Sequence, residues 1–453
     1  MENSKNFESS VNRFENMLKT NEIFFFDVQE FENIIHYYID SGGINLAKKA
    51  LKLANDQHPF NIELTLLKSE LLIFEGSFDK ALLILDSCEK IVPNNHEIFI
   101  QKATILSKKN KHRLAINYLE KSLDLSEDPF EIWTLLGMEH MRLNDYTNAK
   151  RYFNFCVKRD INDYQSLYNI IYCYDQLKEF NNSITLLNGI LEKNPYNEIA
   201  WFELGKQYIK IKKNKEALGA FDFAIISEEK FVGAYIEKGK ILEKIGKLHE
   251  AIENFEISLQ FEDPSSFIYS KIGQCHQKIK NYKIAAKFYK KSITLDPSNF
   301  DAWNKIIDFY IEIYRYKKAI FYLESFLKID YDNIESWEKI GSLYLKINFY
   351  SSAKDALEKA IKLGSLNKKT WTNYIDSLLF LKKWEAAYVL AEEAKKHFPL
   401  DNSIDYRIAG CFLKMGEYLK AKNYFKNFTK KNNKAPNSLK KLFPEFSNVV
   451  KKK

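Results

Sequence analysis

Residues 198–231 read EIAWFELGKQYIKIKKNKEALGAFDFAIISEEKF. Leu204 and Tyr208 stand four residues apart, the spacing that puts two side chains on one face of a helix. Phe221 supplies a third large apolar group further on, and Gly205 and Ala217 are small residues flanking the apolar pattern. One stretch of this kind says little by itself. Its weight comes from what stands 34 residues to either side.

Stepping by 34 from Val28 places interval starts at 28, 62, 96, 130, 164, 198, 232, 266, 300, 334, 368 and 402, with no insertion or deletion. The twentieth position of these twelve intervals is Ala47, Ala81, Ala115, Ala149, Ser183, Ala217, Ala251, Ala285, Ala319, Ala353, Ala387 and Ala421. A column this small marks a point where two helices cross too closely for more than a methyl, and enlarging one member to Leu overpacks it by about 1–3 kcal/mol. The fourth position carries Trp133, Trp201, Trp303, Trp337 and Trp371, expected where one hairpin meets the next. The eighth carries Gly137, Gly205, Gly239, Gly273 and Gly341, where a missing side chain lets the second helix approach. Pro59, Pro93, Pro195, Pro297 and Pro399 share position 32 and stop the second helix.

Together these residues resemble the tetratricopeptide repeat family, whose Trp, Leu-Gly, Tyr, Ala, Phe, Ala and Pro fall at the same offsets. The resemblance covers residues 28–435 and implies an all-α fold, a right-handed superhelical solenoid of twelve helix-turn-helix repeats. The weak members are the fifth repeat, with Leu167, Ile171 and Ser183, and the last, with Asp405 in the aromatic column. Residues 1–27 read as an N-terminal capping helix (Val11, Phe14, Met17, Leu18) followed by the apolar run Ile23 to Phe26. Residues 436–453 read as a C-terminal solvating helix with Leu439, Leu442, Phe443 and Phe446 on one side, ending in a basic tail.

A repeat array is not bound by the roughly 250–300 residues at which single cores stop growing. The 45% hydrophobic content suffices for a continuous core, and no apolar run reaches the 18 residues of a membrane span. The chain therefore reads as folded and cytoplasmic. Residues 1–95 hold 9 Lys and Arg against 15 Asp and Glu, whereas 418–453 hold 11 against 1, so the net +8 is a C-terminal excess.

Little points to chemistry. The five cysteines fall in two columns, Cys88 and Cys156 at position 27 and Cys173, Cys275 and Cys411 at position 10, as small core fillers do. The histidines are scattered without metal-ligand spacing, and no phosphate-loop, dinucleotide, zincin or nucleophile-elbow motif occurs. The sequence thus offers no catalytic residue, metal or cofactor, and reads as a non-enzyme.

The resemblance implies binding on the concave face, built by first helices at positions two, five, nine, twelve and thirteen. In the early repeats these positions are acidic, with Glu32, Asp40, Glu63 and Glu70. In the middle they give Met138, Arg142, Tyr168, Tyr172, Phe202, Lys206, Lys210, Ile236 and Lys240. An apolar and aromatic strip edged by lysines suits a peptide or amphipathic helix of a partner protein, with acidic flanks. Phe202 and Ile236 also fit plain packing between neighbouring first helices. No three consecutive repeats supply the Lys and Asn set with which some relatives grip acidic chaperone tails. The leading expectation is a protein-interaction scaffold. Nucleic-acid binding is the weaker alternative, because acidic first repeats repel a phosphate backbone. Self-association through the C-terminal end is a third.

Overall fold

The computed structural model of the chain describes residues 2–20, 23–261, 263, 265–429 and 437–446. Among these every regular element is helical, and the architecture is an all-α helical-repeat solenoid. A helix of 13 residues begins at each interval start, from Val28–Asp40 to Asn402–Lys414. A second helix of 12 to 14 residues begins at position 17, from Ile44–Gln57 to Tyr418–Thr429. The helices gather into two compact units, Met1–Glu229 and Lys230–Lys453.

Polar residues that the hydrophobic period does not mark decide where the first helices start. The residue before the start is Asp27, Asn61, Asn95, Asp163, Asn197, Asn299, Asn333, Asn367 or Asp401 in nine repeats, and each accepts a hydrogen bond from a first-turn backbone N–H. That bond satisfies one of the N–H groups a helix N-terminus leaves unpaired. The turn between the two helices is as regular. Position 15 has positive φ in all twelve repeats, from +57° at Asn110 and Lys178 to +85° at Gly246. Lys178, Lys212, Lys280, Lys382 and Tyr314 adopt it although left-handed backbone costs an L residue roughly 1–2 kcal/mol.

The alanine column lies at the helix crossings, each member at most 2% exposed. Ser183, its exception, is fully buried with a hydroxyl that finds no partner. The glycine column has a more specific cause than helix approach. A Cβ at Gly137, Gly205 or Gly239 would lie 2.5–2.7 Å from the ring of Phe153, Phe221 or Phe255, the residue at position 24 of the same hairpin. The tryptophans also do more than fill space. Trp201, Trp303, Trp337 and Trp371 donate Nε1–H to the carbonyls of Pro195, Pro297, Tyr331 and Ser365 at 2.7–3.0 Å, fastening the turn that enters each repeat. The cysteines are buried and unpaired with one another, and burial pushes the Cys173, Cys275 and Cys411 thiols up to about 12.

At the N-terminus the helix Glu2–Thr20 buries Val11, Phe14 and Met17 against the first hairpin, whereas Leu18 is exposed. Of the run Ile23 to Phe26 only Phe26 is fully buried. Burial alternates along the segment, leaving Ile23 and Phe25 exposed. Gln57 holds it in place, donating to the Phe24 carbonyl (2.7 Å) and accepting from the Phe26 N–H (3.0 Å). At the C-terminus the expected solvating helix is short, Asn437–Lys440, and Pro444, which has no N–H, cannot extend it. Leu439, Phe443 and Phe446 are buried in one cluster with Tyr406, Phe425 and Phe428 of the last hairpin. Phe446 stacks on Phe425 with centroids 4.4 Å apart. The lysines at 451–453 lie outside the described residues.

Candidate functional site

In the N-terminal unit the first helices Phe130–Arg142, Tyr164–Gln176 and Glu198–Lys210 border a cleft of about 660 Å³. It brings together four of the residues expected from sequence, Arg142, Tyr168, Tyr172 and Lys206, with Met141, Asn144, Tyr146, Asn169, Ile171, Asp175 and Glu203. Tyr168 and Tyr172 come from positions five and nine of one helix, so their rings stand one turn apart on the same face. They are 41% and 44% exposed, whereas Leu167 and Ile170 on the other side of the helix are buried in the core. Tyr146, at the start of its second helix, meets Tyr172 edge-on at 6.0 Å. Burial, and then the carboxylates of Glu203 and Glu198, hold the Tyr168 phenol above its ordinary range.

The remaining expected residues are placed differently. Met138 lines a smaller cleft of about 140 Å³ beside Ala103, Ser107 and Glu139. Phe202 is half-buried, its ring 5.8 Å from Phe221 of its own hairpin. Lys210 reaches back to the preceding repeat. Ile236, half-buried, and Lys240, paired with Glu237 at 2.7 Å, belong to the C-terminal unit.

Every cation of the expected lysine edge in the N-terminal unit faces a carboxylate. Arg142 meets Glu139 and the Ser107 hydroxyl, Lys206 lies 2.7 Å from Glu203, and Lys210 lies 2.5 Å from Asp175. Glu139 is itself buried, accepting from Ser107 at 2.7 Å and sitting 2.8 Å from His112. Inter-repeat partners recur at a spacing of 35: Ser107 with Arg142, Asp175 with Lys210, Glu243 with Lys278, Asn304 with Lys339. Position 12 of one repeat thus meets position 13 of the next in the first three pairs, and positions five and six meet in the fourth. Polar complementarity at this spacing is the signal by which Asp175 could have been found in the sequence.

The cleft is open, aromatic on one wall and charge-neutral on the other, and suits a bound side chain better than a reacting one. Among the described residues no group of three or more His, Cys, Asp or Glu is placed to hold a metal ion, and no helix is long and apolar enough to cross a membrane.

Five windows, residues 96–129, 130–162, 232–260, 268–299 and 334–363, match the family model described as Tetratricopeptide repeat. Among solved structures, the chain is similar to the MamA protein, with 21% identity over 37% of this chain and 92% of that one and a TM-score of 0.33. It is also similar to YrrB, described as a TPR protein with an unusual peptide-binding site, at 16% identity over 41% and 95% of the two chains and a TM-score of 0.34. The C-terminal part of a TPR repeat-containing protein from Cytophaga hutchinsonii is 16% identical over 53% and 99%, with a TM-score of 0.43. No curated protein matches the chain in sequence.

Proposed function

The chain is a tetratricopeptide repeat protein, and from that premise we propose that it is a non-catalytic interaction scaffold holding a peptide or helical segment of a partner protein along the first helices of its N-terminal unit. The observation that carries this reading is the pair Tyr168 and Tyr172. Two large rings remain open to solvent on the wall of a cleft of about 660 Å³, while the same helix buries its other side in the core. Exposed aromatic groups in a concave, partly apolar setting are the usual anchors of protein recognition, because a ring supplies large contact area with few rotatable bonds. Residues Arg142 and Lys206, held in place by Glu139 and Glu203, frame the cleft and give it polar edges.

The alternatives draw less support. The apolar side of the C-terminal segment, which motivated self-association, is covered by the chain's own last hairpin. Nucleic-acid binding has no free basic strip in the cleft to rest on, since Arg142, Lys206 and Lys210 face carboxylates.

The reading is tested by affinity capture from the native lysate with the wild type and with a Tyr168→Ala, Tyr172→Ala variant of unchanged helical content and melting temperature. Partners retained by the wild type and lost by the variant are the expected result. An identical set on both removes the cleft as the binding site.

A further inference from the structure

The acidic face beside the cleft says what kind of segment this groove takes, an inference that rests on the groove reading above. Glu63, Glu97 and Glu131 stand at position two of three consecutive repeats, and Glu32, Asp40 and Glu70 lie on the same set of first helices. Among the described residues none of the six forms an ion pair with a lysine or arginine; His36, 3.9 Å from Glu70, is the neighbour able to carry positive charge. The contrast with the next repeats is direct, because there each cation has its own carboxylate.

The six also repel one another. Glu32 is raised by burial and then by Glu63, and Glu70 by burial and then, against His36, by Asp40 and Glu131. Burial pushes the Glu97 carboxyl up to about 7 despite a hydrogen bond from Gln101, and Glu131 and Glu70 push the same way. Gln101 is 6% exposed, with its amide directed at this cluster: Nε2 donates to Glu97 Oε1 (3.0 Å) and to the Leu66 carbonyl (3.3 Å), while its Oε1 accepts nothing. Carboxylates left without a cation are met by N–H groups that bring positive charge.

We infer that the segment bound along the first helices of repeats one to four is cationic, its lysine or arginine side chains meeting Glu63, Glu70, Glu97 and Glu131. The first helices of repeats one and two, and of two and three, touch. Packed helices lie about 8–10 Å apart, and an extended chain advances about 3.3 Å per residue. Cations at every third residue therefore match successive rungs of the ladder. With aromatic or aliphatic residues toward one end for the Tyr168 and Tyr172 cleft, the occupant is a basic, amphipathic peptide, the reverse of the acidic flanks read from the lysines alone.

The test uses two labelled synthetic peptides that share an aromatic end and differ in carrying lysine or glutamate at every third position, titrated into the full chain by fluorescence anisotropy. The lysine peptide should bind at least about tenfold more tightly, with a preference that shrinks as salt is raised. Glu63→Gln with Glu131→Gln, both exposed positions, should weaken it about fivefold to tenfold and leave the glutamate peptide unaffected. Equal or reversed preference, or no binding of the lysine peptide at low salt, overturns the inference. Tyr168→Ala with Tyr172→Ala separates the two readings. If that variant weakens both peptides while the preference is absent, the groove stands and the cationic occupant falls. If the preference depends on the glutamates but not on the tyrosines, the cationic site stands and the cleft falls. Self-association abolished by the same two glutamate substitutions would support the inference and identify the segment as the basic C-terminus of a second copy.

Discussion

At the scale of single residues, the periodic columns are informative where they are broken. Ser183 takes the place of alanine at a helix crossing and is fully buried with an unsatisfied hydroxyl. Ser183→Ala removes one polar atom, creates no cavity and restores the column, so it should stabilise the chain by about 1 kcal/mol. A higher midpoint in urea is the expected result, and an unchanged or lower one would mean that the hydroxyl has a partner. Glu97 offers a pH-dependent counterpart. Its carboxyl is raised from 4.5 to about 7, by burial first, with Glu131 and Glu70 adding and Gln101 opposing. The folded state thus favours the neutral acid, and the stability this gives is complete below about pH 4.5 and lost as pH rises through 7. Glu97→Gln, always neutral, should leave the melting temperature at pH 4 unchanged and gain about 1–3 kcal/mol at pH 8. Equal effects at the two pH values would place the cause in packing, not in charge.

At the scale of helices and hairpins, the same substitution should act with opposite sign at two glycines. Gly205→Ala drives a methyl to 2.5 Å from the Phe221 ring and should cost about 1–3 kcal/mol, whereas Gly189, in the helix Phe180–Lys193, has nothing within 4 Å of its Cβ direction. There alanine should gain about 0.5–1 kcal/mol from helix propensity alone. Thermal unfolding of the two variants decides the matter, and two shifts of the same sign would refute the role given to position 24. What was legible in the sequence follows the same division. Helix positions could be read because apolar and small residues repeat wherever helices cross, as in the alanine column. The left-handed turn could not, because Gly fills position 15 in only four repeats and lysine, asparagine and tyrosine carry the same backbone elsewhere. The cleft was half legible. Tyr168 and Tyr172 fall in first-helix columns, but Tyr146 reaches it from a second helix. The neutralisation of Lys210 by Asp175 depends on a spacing of 35 that no helix period reveals.

At the scale of the whole molecule, each hairpin of a repeat array is covered only by its neighbours, so stability is close to a sum of local terms and the terminal repeats depend on whatever caps them. From the sequence, a capping helix is expected at the N-terminal end and a solvating helix at the C-terminal end. Helix Glu2–Thr20 closes the N-terminal end by inserting Phe14, which is fully buried. The C-terminal end is closed by a segment whose helix Asn437–Lys440 is about one turn long, so its hold must come from side chains rather than from helix packing. Phe443 is the central one: it is 0% exposed, with its ring against Gly410, where a Cβ would come within 2.4 Å, and its centroid 6.2 Å from Tyr406 and 6.5 Å from Trp384. Phe443→Ala removes a buried ring and should cost about 3–5 kcal/mol. In a single cooperative core that loss would be felt throughout. Here it should stay near the end it caps. Hydrogen exchange followed by mass spectrometry should show faster exchange in the helices Trp384–His397, Asn402–Lys414 and Tyr418–Thr429, with unchanged protection in residues 28–227. Loss of protection across both units would show that the chain unfolds as one body, and the cap would then govern the stability of the Tyr168 and Tyr172 cleft as well.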